Sequence, residues 1–185
     1  ETVYEDVAFG LRNYYKSKYK KQKIKPDKEQ LEKQIEEQVM EAISLVGLDY
    51  QQVKSKSPFD LSGGQKRRAA IAGVIVTKPE ILILDEPTAG LDPRGKREII
   101  ALMHSLKQSC SPTIIMISHD MNEIAANCTK VAVINEGKII CVKTPTELFK
   151  DRQIIAGTGL DIPEAVKLQN MFEEKGLDIG QLPFS

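Results

Sequence analysis

The sequence predicts an α/β protein with a mostly parallel sheet. Short apolar runs at residues 81–84, 113–117 and 131–134 have the length of strands, and they alternate with stretches in which apolar residues recur every three or four positions. The chain has 185 residues, of which 41% are hydrophobic and only 5% are aromatic. We therefore expect a domain with a mainly aliphatic core.

The first part of the chain is predicted to hold a basic stretch followed by a helix. Residues 12–28 carry eight basic side chains against one acidic one, Asp27, and their apolar periodicity is weak, which indicates a solvated loop or extension. The alternative is a basic patch that contacts anionic lipid or RNA. A helix is predicted from Asp27 to Gly47. Its apolar face comprises Leu31, Ile35, Val39, Ala42, Ile43 and Val46.

The remaining elements follow from caps, prolines and apolar runs. Ser62 is a good N-cap for a helix at 65–76, and the run at 81–84 is typical of a strand buried on both faces. A helix at 93–107 has a proline in its first turn. We then expect, in order, a second buried strand at 113–117, a short helix at 120–127, a third strand at 131–134, a hairpin at Gly137 and a last short helix from Thr144.

Two adjacent carboxylates, Asp85 and Glu86, follow the first apolar run. Open α/β sheets bind ligands at the carboxyl ends of their strands, and two charges there are costly unless a cation or a polar ligand meets them. In P-loop ATPases an aspartate in this position holds Mg²⁺, and an acidic neighbour can orient or deprotonate the attacking water. The alternative is an ordinary strand end with solvated acids.

Two further groups could contact a phosphate. In LSGGQ, residues 62–64 begin a helix, where glycines let a ligand approach closely and free N–H groups favour an anion. A flexible cap is the alternative for this motif. His119 follows the second predicted strand, so its imidazole is expected at the same ligand edge of the sheet as Asp85. A lone histidine is more often structural or merely exposed, and we expect this of His104 in mid-helix.

Four motifs occur in one order along the chain: LSGGQ, ILILDE, TAGLDP and SHD. In this order the sequence resembles the ABC-type ATPases. LSGGQ is similar to their signature motif, ILILDE to Walker B and TAGLDP to the D-loop. His119, in the fourth motif, is similar to the switch histidine.

Three further segments narrow the resemblance to the ATPase subunits of energy-coupling factor (ECF) transporters, which take vitamins or transition-metal ions into bacterial cells. They are ETVYEDVAFG, GKIICVKTPTELF and GLDIPEAVKLQ. The resemblance covers nearly the whole chain, except that the Lys-rich stretch from Tyr14 to Lys25 is longer than the family's usual connector. It implies a P-loop NTPase-like fold with three parts: an ABC-type helical subdomain with the signature motif at 1–78, the Walker B, D-loop and switch-histidine half of the core at 79–150, and a C-terminal extension at 151–185.

One octapeptide, GLDPRGKR at 90–97, has the spacing of a P-loop, but this match is accidental. Arg97 stands where a P-loop needs a hydroxyl, Pro93 lacks a backbone N–H, and Asp92 places a negative charge beside the phosphates. The family's P-loop and Q-loop lie upstream of the signature motif, and neither precedes Glu1. We therefore expect a C-terminal portion of such an ATPase, without its N-terminal strands, that alone neither binds nor hydrolyses ATP. The missing strand should also leave a sheet edge or face uncovered, which favours self-association.

The resemblance also implies roles for individual residues. Two such domains trap two ATP molecules, each between the P-loop of one domain and the signature motif of the other. Asp85 would serve Mg²⁺, Glu86 would activate the hydrolytic water, and His119 would contact the γ-phosphate. Asp92 would communicate across the dimer. The ATP of the partner domain would be bound by Ser62, Gly63, Gly64 and Gln65.

The implied partners are a second ABC ATPase, identical or different, and a transmembrane coupling subunit docked on the helical subdomain at the cytoplasmic face of a bacterial membrane. The 26 basic residues balance 26 acidic ones, so no global field favours nucleic acid. Three unpatterned cysteines favour a reduced cytosolic chain, and no apolar run approaches the roughly 20 residues of a membrane span. The alternatives are a non-transport ABC ATPase and a catalytically inactive fragment that serves as an interaction module. The transported solute is not implied, because specificity would reside in a separate membrane subunit.

Overall fold

The computed structural model describes residues 2–175, and the chain divides into two compact units, Glu1–Ile117 and Ser118–Ser185. The first unit contains α1 (Val3–Gln22), α2 (Lys28–Leu45), α3 (Tyr50–Val53), α4 (Gly63–Ile75), β1 (Ile81–Asp85), α5 (Pro93–Ser109) and β2 (Thr113–Ile117). The second contains α6 (Met121–Asn127), β3 (Val131–Asn135), β4 (Lys138–Lys143), α7 (Pro145–Lys150), α8 (Arg152–Thr158) and α9 (Glu164–Glu174). The α/β class is confirmed. Residues 176–185 of the predicted C-terminal extension lie outside the described residues.

Helix α1 continues to residue 22, through most of the stretch at 12–28 that we expected to be a solvated loop or extension. That expectation is wrong, because two tyrosines give this part of the helix a packed face: the ring of buried Tyr15 stacks on Tyr19, and its hydroxyl accepts a hydrogen bond from Gln38 of α2 at 2.8 Å. The helix ends at Gln22, where Lys23 takes a left-handed backbone with φ 55°. The lysines lie on the remaining exposed faces. We call residues 14–28, which comprise the end of α1, the link to α2 and the first residue of α2, the basic arm.

Helix α2 confirms the predicted periodicity. Asp27 caps it by accepting a hydrogen bond from the amide of Glu29 at 2.9 Å, and its apolar face packs with α1 and α4 in one aliphatic core. Helices α1 and α4 approach closely, since a Cβ on Gly10 would lie 3.4 Å from the carbonyl oxygen of Gly73. The fully buried side chains of this core include Val3, Val7, Leu11, Ile35, Val39, Ile43 and Ile75.

The strands β1 and β2 pair in parallel, with Ile81 opposite Thr113 and Asp85 opposite Ile117. Leu82 and Leu84 point into the core that also contains the apolar face of α5. The opposite face is covered by nothing within residues 2–175, so the expectation of strands buried on both faces is wrong for this part of the chain. Its isoleucines are about half exposed: Ile81 56%, Ile83 60%, Ile115 46% and Ile117 51%.

The second unit is built on the antiparallel hairpin β3–β4, as Gly137 predicted. Glu136 and Gly137 both have positive φ, 48° and 74°, which is the backbone that tight hairpin turns require. Thr144 and Glu147 form a reciprocal cap that begins α7, and Lys143 pairs with Asp151 at 2.6 Å. The buried side chains here include Ile124, Ala125, Val133, Leu148 and Phe149.

Candidate functional site

The N-terminus of α4 is built by the residues of LSGGQ. Ser62 has an extended backbone and caps the helix, because its Oγ accepts a hydrogen bond from the amide of Gln65 at 3.3 Å. In turn, the Oε1 of Gln65 accepts a hydrogen bond from the amide of Ser62 at 3.1 Å. Accepting this bond leaves the Ser62 hydroxyl its own hydrogen, which can be donated to a ligand.

The two glycines of this turn present their backbone to solvent. Gly63 and Gly64 are the first residues of α4, and a Cβ built on either one meets no atom within 4 Å. Within residues 2–175 their amides have no hydrogen-bond acceptor, as the first amides of a helix lack an intrahelical partner. Open amides at the positive end of a helix suit an anion such as a phosphate.

Asp85 and Glu86 lie together at the carboxyl end of β1, as predicted. Asp85 is exposed and is the last residue of the strand. The amide of Glu86 donates to the carbonyl of Ile117 at 2.9 Å, which extends the β1–β2 ladder by one residue. Glu86 itself has φ 46°, a left-handed backbone that is uncommon outside glycine, and its carbonyl accepts from the amide of Ala89 at 3.2 Å. A turn at 86–89 therefore follows the strand directly.

The described part of the chain holds no group of three or more histidine, cysteine or acidic side chains that could bind a metal ion. The described residues therefore provide no metal site built from protein ligands alone. The exposed Asp85 beside Glu86 fits a different arrangement, since Mg²⁺ commonly takes one or two carboxylates and completes its shell with phosphate oxygens and water.

Arg67 of helix α4 contacts the turn at 86–89, a contact that none of the sequence motifs indicates. Its Nη1 donates to the carbonyl of Glu86 at 3.0 Å, and its Nη2 donates to the carbonyl of Ala89 at 2.8 Å. The next residue, Arg68, makes contacts with other parts of the chain. It donates to the carbonyl of Val46 at 2.7 Å and pairs with Glu98 of α5 at 2.9 Å.

Asp92 occupies the start of α5 and explains why GLDPRGKR cannot act as a phosphate loop. Its Oδ1 accepts a hydrogen bond from the amide of Gly95 at 2.7 Å, and its carbonyl accepts from the amide of Lys96 at 2.9 Å. A carboxylate thus already holds one amide that a phosphate would need. A Cβ on Gly95 would lie 3.0 Å from the same Oδ1, so the turn is closed around its own side chain.

His119 lies in the second unit, exposed, between Ser118 and the N-cap of α6. Asp120 caps α6 through the amides of Asn122 and Glu123, and its own amide donates to the Ser118 hydroxyl at 3.0 Å. The backbone on both sides of His119 is therefore fixed by short-range bonds. His104 is exposed on α5.

Comparison with known proteins gives one family and a set of close relatives. Residues 6–89 match the family model for ABC transporters. The chain is 40% identical over 185 residues to the energy-coupling factor transporter ATP-binding protein EcfA2 of Clostridium tetani, covering 100% of this chain and 59% of that protein. It is 43% identical over 182 residues to EcfA2 of Clostridioides difficile, covering 98% and 58%. The chain thus spans somewhat under two thirds of the length of the curated relatives that it matches.

Two solved structures share the fold. The structure of cbiO1 from Clostridium perfringens, described as part of the ABC transporter complex cbiONQ, is 36% identical with a TM-score of 0.65, over 92% of this chain and 61% of that one. A metal-chelate type ABC transporter in an inward-facing conformation has a TM-score of 0.67 at 21% identity, over 86% and 58%. The resemblance to ABC-type ATPases and the P-loop NTPase-like fold are both confirmed.

Proposed function

We propose that this chain, whose similarity to ECF transporter ATP-binding proteins extends over its whole length, is part of an ATP-hydrolysing subunit. The subunit would power the uptake of a vitamin or a transition-metal ion through a membrane complex. One observation carries the proposal: a helix N-terminus with open glycine amides and a pair of acids at a strand end occur in the same compact unit.

In the proposed reaction, Glu86 takes a proton from the water that attacks the γ-phosphate. Asp85 would hold Mg²⁺, which would neutralise charge on the phosphate oxygens. His119 donates a hydrogen bond to the γ-phosphate. The fixed backbone of Glu86, held through its amide by Ile117, supports this assignment because a general base must keep its geometry.

The signature residues would act on the nucleotide of a second ATPase subunit, identical or different. Ser62, Gly63, Gly64 and Gln65 would bind the partner's γ-phosphate, and Asp92 would communicate across the dimer. The helical subdomain at 1–78 would dock on a transmembrane coupling subunit. From the similarity to ECF transporter ATP-binding proteins we propose a peripheral position at the cytoplasmic face of the membrane. Among the described residues, no helix has the length and apolar character to cross a membrane.

The test is Glu86→Gln in the full-length protein that contains this chain. The substitution keeps the shape of the side chain and removes the base, so ATP binding should persist while turnover falls by about 100-fold or more. Glu80→Gln is the matched control, because Glu80 is an exposed acid at the opposite end of β1. Turnover within a few-fold of wild type for Glu86→Gln would place the base elsewhere. An inactive wild-type protein would favour the alternative of an interaction module.

A further inference from the structure

The side chain of Arg67 spans two elements that the proposed function uses for different nucleotides. Arg67 is the fifth residue of α4, one turn along from Gly63 and Gly64. Arg67 is half-buried as a residue, and its two terminal nitrogens donate to separate carbonyls, those of Glu86 and Ala89. A planar guanidinium that donates to two acceptors fixes both the distance and the relative orientation of α4 and the turn at 86–89. An ammonium group, which acts as a point charge, does not fix the orientation.

The two carbonyls define the backbone that carries Glu86. This residue is held from three sides: its amide bonds Ile117, while its carbonyl accepts from Ala89 and from Arg67. Its left-handed φ of 46° costs energy for a residue with a Cβ, so the surrounding bonds must keep it there. Without the guanidinium, the Ala89 carbonyl loses a charge-assisted donor and the turn at 86–89 loses its tie to α4.

We propose that Arg67 is a positioning residue that couples the signature turn of α4 to Glu86 of the same chain. When Gly63 and Gly64 engage the partner's nucleotide, the helix moves as a unit with Arg67, and its guanidinium sets the backbone of Glu86. Hydrolysis at the chain's own nucleotide then depends on contact with the partner's nucleotide. The inference rests on the proposed function, since it takes Glu86 as the base.

The test compares Arg67→Gln, Arg67→Lys and Arg68→Gln in the full-length protein. Arg67→Gln should lower kcat by about 10- to 100-fold and leave KM for ATP nearly unchanged, because the base is misplaced while the nucleotide still binds. Arg67→Lys should restore part of kcat, since an ammonium can reach one carbonyl but not both. Arg68→Gln is the matched control: it removes an equal charge from the same helix, but from the contacts to Val46 and Glu98. It should lower thermal stability more than kcat.

A double variant separates positioning from general loss of structure. If Arg67 acts through Glu86, Arg67→Gln adds no further loss to Glu86→Gln, whereas an unrelated defect would add its own factor. Wild-type kcat for Arg67→Gln, or additive losses in the double variant, would overturn the inference. If Arg67→Gln does not fold, the kcat of Arg67→Lys decides in the same way. Full turnover by Glu86→Gln would instead refute the proposed function, so the two failures are distinguishable.

Discussion

Ser62 and Gln65 cap each other across the first turn of α4, each accepting a hydrogen bond from the other's backbone amide. The same hydroxyl that caps the helix is proposed to meet a phosphate. These two roles can be separated by substitution, because asparagine caps a helix as well as serine does, but its donor is an amide nitrogen that lies one bond further from the backbone than the serine hydroxyl.

We therefore predict that Ser62→Ala and Ser62→Asn differ in stability and agree in ligand response. Ser62→Ala should lose about 1 kcal/mol of unfolding free energy, the usual value of an N-cap, whereas Ser62→Asn should lose little. Both should weaken ATP-dependent dimerisation of the full-length protein. Urea denaturation and light scattering measure the two effects. Dimerisation that is weakened only in Ser62→Ala would assign Ser62 to capping alone.

Gly64→Asp should abolish ATP-dependent dimerisation and leave nucleotide binding to the monomer nearly intact. The aspartate places a negative charge where a phosphate is expected, but the free helix should tolerate it, since a Cβ at Gly64 meets nothing within 4 Å and acids are favourable in a first helical turn. Gly64→Asn is the matched control, with the same shape and no charge. A dimer of normal affinity in Gly64→Asp would refute a role for this turn in phosphate binding.

Lys96→Ala should leave the nucleotide affinity of the full-length protein unchanged. Lys96 has the position of a P-loop lysine in GLDPRGKR, but its backbone lies in a helical turn that Asp92 already caps. In a true P-loop the lysine reaches the β- and γ-phosphates, so its loss would be severe. Calorimetry with Mg²⁺-ATP distinguishes the cases, and a large drop in affinity would restore the octapeptide as a nucleotide site.

The phenol of Tyr50 should titrate far above the usual range. Burial, and then the nearby carboxylate of Glu36, which accepts its hydrogen bond at 3.3 Å, raise the pKa of Tyr50 to about 12. Because the folded pKa exceeds the unfolded value of 10.0, the stability that the neutral phenol contributes is fully present below pH 10 and is lost as pH rises towards 12. An alkaline absorbance titration of wild type against Tyr50→Phe isolates this group. A midpoint near 10 would contradict the prediction.

Sequence patterns predicted the elements whose signals are local. Helix α2 follows from its apolar spacing and the Asp27 cap, and the hairpin follows from Gly137. The lysine-rich end of α1 was missed because its helical packing depends on Tyr15 and on Gln38, which lies 23 residues away. No local pattern contains a contact of that range.

Some residues of the candidate site were likewise predictable from local sequence signals, and others were not. Ser62, Asp85 and Glu86 stand at a cap and a strand end, which are visible in the sequence. Arg67 was not predicted as a site residue because its partners are backbone carbonyls, which every residue has. The amino-acid types of Glu86 and Ala89 therefore do not mark them as its acceptors. The exposed isoleucines of β1 and β2 agree with the expectation of an uncovered sheet edge or face. The apolar run at 81–84 alone does not indicate this, because its residue types suit a strand covered by one layer or by two.

The basic arm makes the chain electrically asymmetric. Residues 14–28 carry seven lysines and one aspartate, so the rest of the printed sequence, with 19 basic and 25 acidic residues, has a balancing negative excess. A molecule of zero net charge feels little net attraction in a field, but separated charges of opposite sign give it a dipole moment. Beside a negatively charged surface, within about 10 Å at ordinary ionic strength, such a chain experiences a torque that turns the arm towards the surface. Because that field decays with distance, lysines of the arm near the surface would be attracted more than distant acidic side chains would be repelled, so the arm would favour both one orientation and attachment.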